Sequence, residues 1–131
     1  MALDMALTIE QTIEEHGLYR KISGTQTHAD YVRLLEGQTT MSRRPFRYVI
    51  LDMRGVTQIE EGTPALFGHM QRAASTYIAA VQILFVGQQD FLKWAIPEYA
   101  EALKGTDWEV FSFKDLDAAR NHIKTNIIKQ G

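Results

Sequence analysis

Short apolar runs rich in β-forming residues alternate along the chain with segments of helical spacing. Residues 47–53 and 81–86 are almost continuously apolar, which is typical of strands covered on both faces, as in a parallel sheet. Residues 108–113 form another strand-like run. Two shorter segments, 8–13 and 18–23, flank Glu15-His16-Gly17. Their spacing predicts an N-terminal β-hairpin with a tight turn.

Two helices are predicted on either side of the central strand 47–53. The first begins at Thr27 and ends near Glu36-Gly37, where glycine suits a left-handed helix end. The second begins at Thr63-Pro64, because threonine caps free backbone amides and proline fits the first helical turn. Its apolar stripe runs to about Ala80. Residues 54–59 are expected to leave the central strand through a glycine turn.

Pro97 is expected to divide the next helical segment into pieces at 90–95 and 98–103, and Ser112 or Asp115 to cap a last helix. The element order is then β-β-α-β-α-β-α-β-α. Repeated β-α-β units predict right-handed crossovers with helices packed on the sheet. We therefore expect an α/β fold with a mixed four- to five-stranded β-sheet, about four helices and an N-terminal β-hairpin.

Size and charge narrow the class of protein. A chain of 131 residues is expected to form a single domain over 1–131. The net charge of −2 disfavours a general nucleic-acid binder. The absence of cysteine excludes disulfides, thiol nucleophiles and iron–sulfur clusters. No signal-peptide pattern or membrane-spanning apolar run is visible, so we expect a cytoplasmic protein that does not span a membrane.

Few residues suggest catalysis. No phosphate-binding loop, dinucleotide fingerprint or nucleophile elbow occurs in the sequence. The four histidines share no metal-ligand spacing and are interpreted as unrelated side chains: His16, His28, His69 and His122. We expect no catalytic residue, no metal and no cofactor.

Three carboxylates and one hydroxyl are the strongest polar candidates. Asp52 is expected at the carboxyl end of the central strand, where open α/β sheets present their sites, and Glu60 and Glu61 precede a predicted helix. They could form a cation site or an acid/base pair, but carboxylates at a helix start also stabilise the helix dipole. Thr63 could accept a phosphate or serve only as a helix cap.

Aromatic residues are concentrated around Pro97. Phe91, Trp94 and Tyr99 could line a pocket for a small apolar ligand or a lipid, or contribute to a partner surface. Packing in the core explains them more simply. A true binding pocket would have a volume of about 300 Å³ or more.

Residues 48–57, Tyr-Val-Ile-Leu-Asp-Met-Arg-Gly-Val-Thr, resemble the central strand and turn of STAS domains. These domains occur as anti-sigma-factor antagonists and as cytoplasmic tails of sulfate transporters. Residues 81–87 and 115–119 also resemble the family's succession of strands and helices. The N-terminal part, with Ile22-Ser23-Gly24 before a threonine-started helix, is closer to the SpoIIAA-like bacterial branch, which is related to CRAL-TRIO lipid carriers. The resemblance covers about 8–127.

The resemblance implies a site just after the central strand. In the family that strand is followed by Asp-Ser-Ser/Thr-Gly, which falls here on Glu60-Glu61-Gly62-Thr63. Glu61 thus occupies the position of the phosphorylatable serine, so a serine-kinase switch is not expected there. Either Glu61 supplies a permanent negative charge, which is a weaker mimic of phosphate, or Thr63 is modified instead.

These observations favour a non-catalytic regulatory or protein-interaction module. Its surface would comprise the loop from Gly55 to Gly62 and the helix start at Thr63, and its protein partner is unknown. The alternative is a small domain that binds an apolar ligand or a lipid. A metal-assisted enzyme using Asp52, Glu60 and Glu61 has less support. A small domain with sheet edges can also form a homodimer.

Overall fold

Five strands form one mixed sheet in the computed structural model, which describes residues 7–29, 46–74 and 80–128. The strands lie in the sheet in the order of the chain. The first two form the predicted antiparallel hairpin, and all later neighbours are parallel. The strands are β1 (Thr8–Ile13), β2 (Gly17–Gln26), β3 (Tyr48–Ile59), β4 (Gln82–Val86) and β5 (Glu109–Phe113).

Three α-helices lie within the described ranges, where about four were expected. They are α1 (Thr63–Ala74), α2 (Leu92–Ala102) and α3 (Leu116–His122), and a π-helical segment, Ile123–Ile127, continues α3. The helix predicted from Thr27 to about Gly37 lies mostly outside the described residues. Only residues 27–29 belong to both, and of these His28 and Ala29 are helical.

The sheet is buried on both faces by separate apolar clusters. Side chains of Leu51 and Met53 pack towards α1 and α2 together with Phe67 and Tyr99. Ile50 belongs to the cluster on the other face, which includes the α3 residue Ala119. Because strands in chain order with right-handed crossovers place the connecting helices on one face, α1 and α2 share a face. The prediction that β3 and β4 are covered on both faces is confirmed.

Strand β3 continues to Ile59, so the predicted glycine turn at residues 54–59 is wrong. Gly55 instead lies opposite Ser23 of β2, and a Cβ at position 55 would lie 2.5 Å from the Ser23 Oγ atom. Two register shifts accompany this close approach of the two backbones. The glycine therefore permits strand contact rather than ending the strand.

Pro97 lies inside α2 and does not divide the helix. Buried residues continue through the proline at helical spacing, from Ala95 to Tyr99 and Ala102, so tertiary packing holds both halves in one helix. At the start of α3, the amide of Ala118 donates to Asp115 Oδ1 at 2.8 Å. Of the two predicted caps, Asp115 is therefore the one that forms.

Candidate functional site

The turn between β3 and α1, residues 60–63, lies at the carboxyl end of the parallel strands and is termed the acidic turn here. The side chains of Glu60 and Glu61 are exposed, whereas Thr63 is buried. Gly62 has a φ of 89°, a conformation that glycine adopts without steric penalty. Backbone hydrogen bonds from Glu60 N–H to Gln26 O (2.8 Å) and from Thr63 N–H to Glu60 O (3.1 Å) fix the turn.

His28 holds the Glu60 carboxylate from the neighbouring strand end. The backbone amide of His28 donates to Glu60 Oε1 at 3.0 Å, and its Nδ1 atom contacts the same oxygen. The backbone hydrogen bond first, and the imidazole second, lower the pKa of Glu60 below its ordinary value. An exposed carboxylate is thus held in one place, and His28 is not the unrelated histidine that its spacing suggested.

Thr63 is the first residue of α1 rather than its cap. The amide of Leu66 donates to Gly62 O at 3.1 Å, which places Gly62 at the position before the helix. The Thr63 Oγ1 atom lies 3.2 Å from His28 Nδ1, and the residue is 1% exposed. Its hydroxyl is therefore enclosed, an unfavourable setting for a phosphate acceptor.

The geometry of Thr63, His28 and Glu60 does not form a nucleophile relay. In such a relay the imidazole contacts the hydroxyl with one ring nitrogen and the carboxylate with the other. Here the hydroxyl and the carboxylate both contact Nδ1. The three side chains therefore hold the turn without the two-nitrogen arrangement of such a relay.

A further carboxylate lies at the start of α1. The amide of Ala65 donates to Glu98 Oε2 of α2 at 3.3 Å. Negative charge at the first helical turn stabilises the helix dipole by about 0.3–1 kcal/mol for each group. The carboxylate that contacts the first turn of α1 is therefore that of Glu98, whereas the simpler interpretation had assigned this role to Glu60 and Glu61.

Asp52 does not belong to the acidic turn. Because β3 continues to Ile59, Asp52 lies in the middle of the strand, not at its carboxyl end. The eight-residue separation from Glu60 corresponds to roughly 25 Å along an extended strand. A shared cation site or acid/base pair of Asp52, Glu60 and Glu61 is therefore wrong.

Asp52 is instead 1% exposed and fully paired. Tyr19 Oη donates to its Oδ2 atom at 2.5 Å. Arg54 donates from Nε at 2.9 Å, from Nη2 at 2.8 Å and from its backbone amide at 3.2 Å. Burial raises the pKa of Asp52, but the hydrogen bonds from Arg54 and Tyr19 outweigh it and leave the pKa below its ordinary value.

A second charged cluster lies on the face of the sheet that α3 covers. Arg120 of α3 donates from Nη1 and Nη2 to the two carboxylate oxygens of Glu14, each at 2.6 Å. Tyr48 Oη donates to Glu14 Oε1 at 2.5 Å, and the Arg120 guanidinium lies 5.6 Å from the centre of the Tyr19 ring. These contacts join the hairpin, β3 and α3. Sequence analysis missed them, and no local pattern marks a pair 106 residues apart.

The three candidate aromatic residues lie in different environments. Phe91, directly before α2, is half-buried against the core, and Trp94 is 40% exposed. Tyr99 is 1% exposed and stacks on Phe67 with ring centres 5.3 Å apart. Trp94 and Tyr99 are about 140° apart around the helix, which explains their different environments.

The space beneath these aromatics is small. A cavity of about 20 Å³ lies between the sheet, α1 and α2, lined in part by Met53, Phe67 and Tyr99. That volume suits about one water molecule and is far below the 300–1,000 Å³ typical of ligand pockets. The filled core therefore counts against an apolar ligand or lipid at this position.

Within residues 7–29, 46–74 and 80–128, no group of three or more histidine, aspartate or glutamate side chains could hold a metal ion. None of the helices in these ranges is long and apolar enough to cross a membrane.

Comparisons with known proteins identify the fold. Neither a family model nor a curated protein matches the chain. Among solved structures, an uncharacterized protein of the DUF3478 family from Shewanella loihica PV-4, described as having a SpoIIAA-like fold, superposes with a TM-score of 0.61. The alignment covers 95% of this chain and 98% of that chain at 18% sequence identity. The chain therefore has a SpoIIAA-like fold, as its sequence predicted.

Proposed function

We propose that this chain is a non-catalytic regulatory module that binds a protein partner through the acidic turn. The observation that carries the proposal is the His28–Glu60 contact. It holds an exposed carboxylate beside Glu61, the residue at the position of the family's phosphoacceptor serine. The turn would thus present permanent negative charge where the resemblance implies a regulated one.

The rigidity of the turn supports this role. Glu60 is tied through its backbone to β2 and through its side chain to His28. A group already held in its bound position loses less conformational entropy when a partner binds. Arginine and lysine side chains are suitable partners, because charge-assisted hydrogen bonds to carboxylates are stronger than neutral ones. The partner would therefore present a basic surface.

Permanent charge distinguishes this module from a phosphorylation switch. Thr63 is enclosed at 1% exposure, and Glu61 carries no hydroxyl. A carboxylate has a single negative charge, whereas a phosphoryl group carries about 1.5 to 2. The extent of binding would therefore depend on the concentration of the partner rather than on modification of the turn.

The other functions have weaker support. An apolar-ligand or lipid-binding role would need more space than the 20 Å³ cavity offers. A metal-assisted enzyme would need Asp52 near the acidic turn, and β3 separates them. Trp94, which is 40% exposed, is more readily explained as part of a partner surface near Glu98 on the same helix.

Affinity enrichment from the native host with charge-reversed variants tests the proposal. Glu61→Lys changes an exposed residue of the turn, and the matched control Glu101→Lys changes an exposed residue at the far end of α2. We expect a protein that wild type and E101K recover equally and that E61K recovers at least about tenfold less, the effect of about 1.4 kcal/mol. Equal recovery of every enriched protein by E61K and E101K would contradict the proposal.

A further inference from the structure

Strand β5 forms one edge of the sheet, and its outward backbone groups have no partner among the described residues. Glu109 N–H donates to Val81 O at 3.2 Å, and Gly87 N–H donates to Phe113 O at 3.0 Å. Because backbone direction alternates along a parallel strand, residues 109, 111 and 113 face β4. The amide and carbonyl groups of Val110 and Ser112 therefore point away from the sheet.

We propose that two copies of this chain pair through β5 as antiparallel strands, with the two-fold axis at Phe111. Val110 and Ser112 lie at equal distances on either side of Phe111. The axis therefore places Val110 of one copy opposite Ser112 of the other. Such a pair exchanges both backbone hydrogen bonds. The pairing satisfies all the outward groups of β5 at once and continues the sheet across both copies.

The side chains are compatible with this register. Phe111 meets Phe111 of the second copy at the non-hydrogen-bonded position, where facing side chains approach most closely. Glu109 lies opposite Phe113, so no like charges face each other. Val110, Phe111 and Phe113 are only half-buried in the single chain, and pairing would remove more of their apolar surface from water.

The other edge of the sheet is less suitable. In β1 the side chains of Thr8, Glu10 and Thr12 are exposed and polar, so pairing there would bury little apolar surface. In β5 neither lysine nor proline interrupts the strand, and its register with β4 shows no shift. Lysine, proline and irregular register are the features by which natural proteins protect edge strands from pairing, and β5 lacks all three.

Sedimentation analysis of wild type, Ser112→Pro and Ser112→Ala tests the pairing. The Ser112 amide is unused in the single chain, so proline removes no internal hydrogen bond but blocks the edge. We expect a dimer for wild type and S112A, and a dissociation constant about tenfold or more higher for S112P. A wild-type monomer throughout the micromolar range, or a dimer unaffected by S112P, would overturn the proposal.

Single-cysteine cross-linking provides a second test that does not depend on folding of the proline variant. The chain has no cysteine. The thiol introduced by Phe111→Cys can therefore form a disulfide only with the same thiol of a second copy across the axis. We expect F111C to give a covalent dimer under mild oxidation. The control Thr12→Cys, on the exposed side of β1, should remain monomeric. Cross-linking of T12C but not F111C would place the interface at the β1 edge and overturn the proposal.

Discussion

Tyr19 on β2 donates a hydrogen bond of 2.5 Å to the buried carboxylate of Asp52 on β3. Arg54, two residues along β3, binds the same carboxylate through two side-chain nitrogens and its amide. Burial first, and the hydrogen bond to Asp52 second, raise the pKa of Tyr19. The buried charge therefore links two strands of the sheet and has no geometric relation to the acidic turn.

Tyr19→Phe should lower the free energy of unfolding by about 1–2 kcal/mol, because a hydrogen bond to a charged group is lost. Asp52→Asn should also destabilise the protein, and the double variant should lose less than the sum of the two. Urea unfolding of the four proteins measures this coupling. The exposed change Glu101→Gln is the control and should alter stability by no more than about 0.5 kcal/mol. Additive losses would show that Tyr19 and Asp52 do not interact.

The Glu14–Arg120 pair should stabilise the protein at neutral pH and lose this effect in acid. The hydrogen bond from Arg120 lowers the pKa of Glu14 from its ordinary 4.5. Between the two pKa values, the unfolded chain binds a proton that the folded chain does not. The stability that the Glu14–Arg120 pair contributes should therefore be fully present above pH 4.5. It should be lost as the pH decreases through the lower, folded-state pKa of Glu14.

Glu14→Gln removes this titration and should flatten the acid limb of the stability curve, with about 1 kcal/mol of stability lost near neutral pH. Thermal or urea unfolding as a function of pH gives the comparison. An equally steep acid limb in E14Q would assign the acid sensitivity to other groups.

Gly62→Ala should destabilise the fold by about 1–2 kcal/mol, because φ at this position is 89° and an L-residue is strained there. Gly62→Asn should be less destabilising, since asparagine tolerates left-handed backbone better than alanine. Unfolding midpoints of the two variants provide the test. The reverse order would show that the turn tolerates a different backbone conformation.

His28→Ala should raise the pKa of Glu60 part of the way towards its ordinary value, because the imidazole contact is lost while the backbone amide at position 28, which is the larger cause of the shift, remains. Carboxyl-detected NMR titration follows the change directly. His16→Ala, a change at the opposite end of β2, is the matched control and should leave Glu60 unaffected. A Glu60 pKa that does not respond to H28A would contradict the described turn.

Periodicity predicted most of the sheet correctly, because each strand shows its own burial pattern. The bounds Thr8–Ile13 were predicted for β1, and β4 and β5 each begin one residue later than predicted. Gly55 and Pro97 were misleading, because local chain-breaking signals do not reveal packing. Close contact with Ser23 explains the glycine, and the continuous buried stripe of α2 explains the proline.

The candidate site was predictable only in part. The resemblance placed the site on Glu60-Glu61-Gly62-Thr63, although a loop from Gly55 was expected before it rather than the continuation of β3. It gave no sign of His28, which reaches Glu60 from the end of β2 across 32 positions of sequence. Asp52 was expected at the carboxyl end of its strand but lies in the middle, because the strand length was underestimated. Contacts between distant segments depend on register and twist, which no local pattern encodes.

Native mass spectrometry of the protein isolated from its own host, without heat or solvent, tests the central claim most directly. A protein-interaction module should appear in complex with a second, different polypeptide, and the chain itself should carry no lipid-sized mass. A bound mass of lipid size on the chain, with no polypeptide partner, would contradict the account and favour the ligand-binding function.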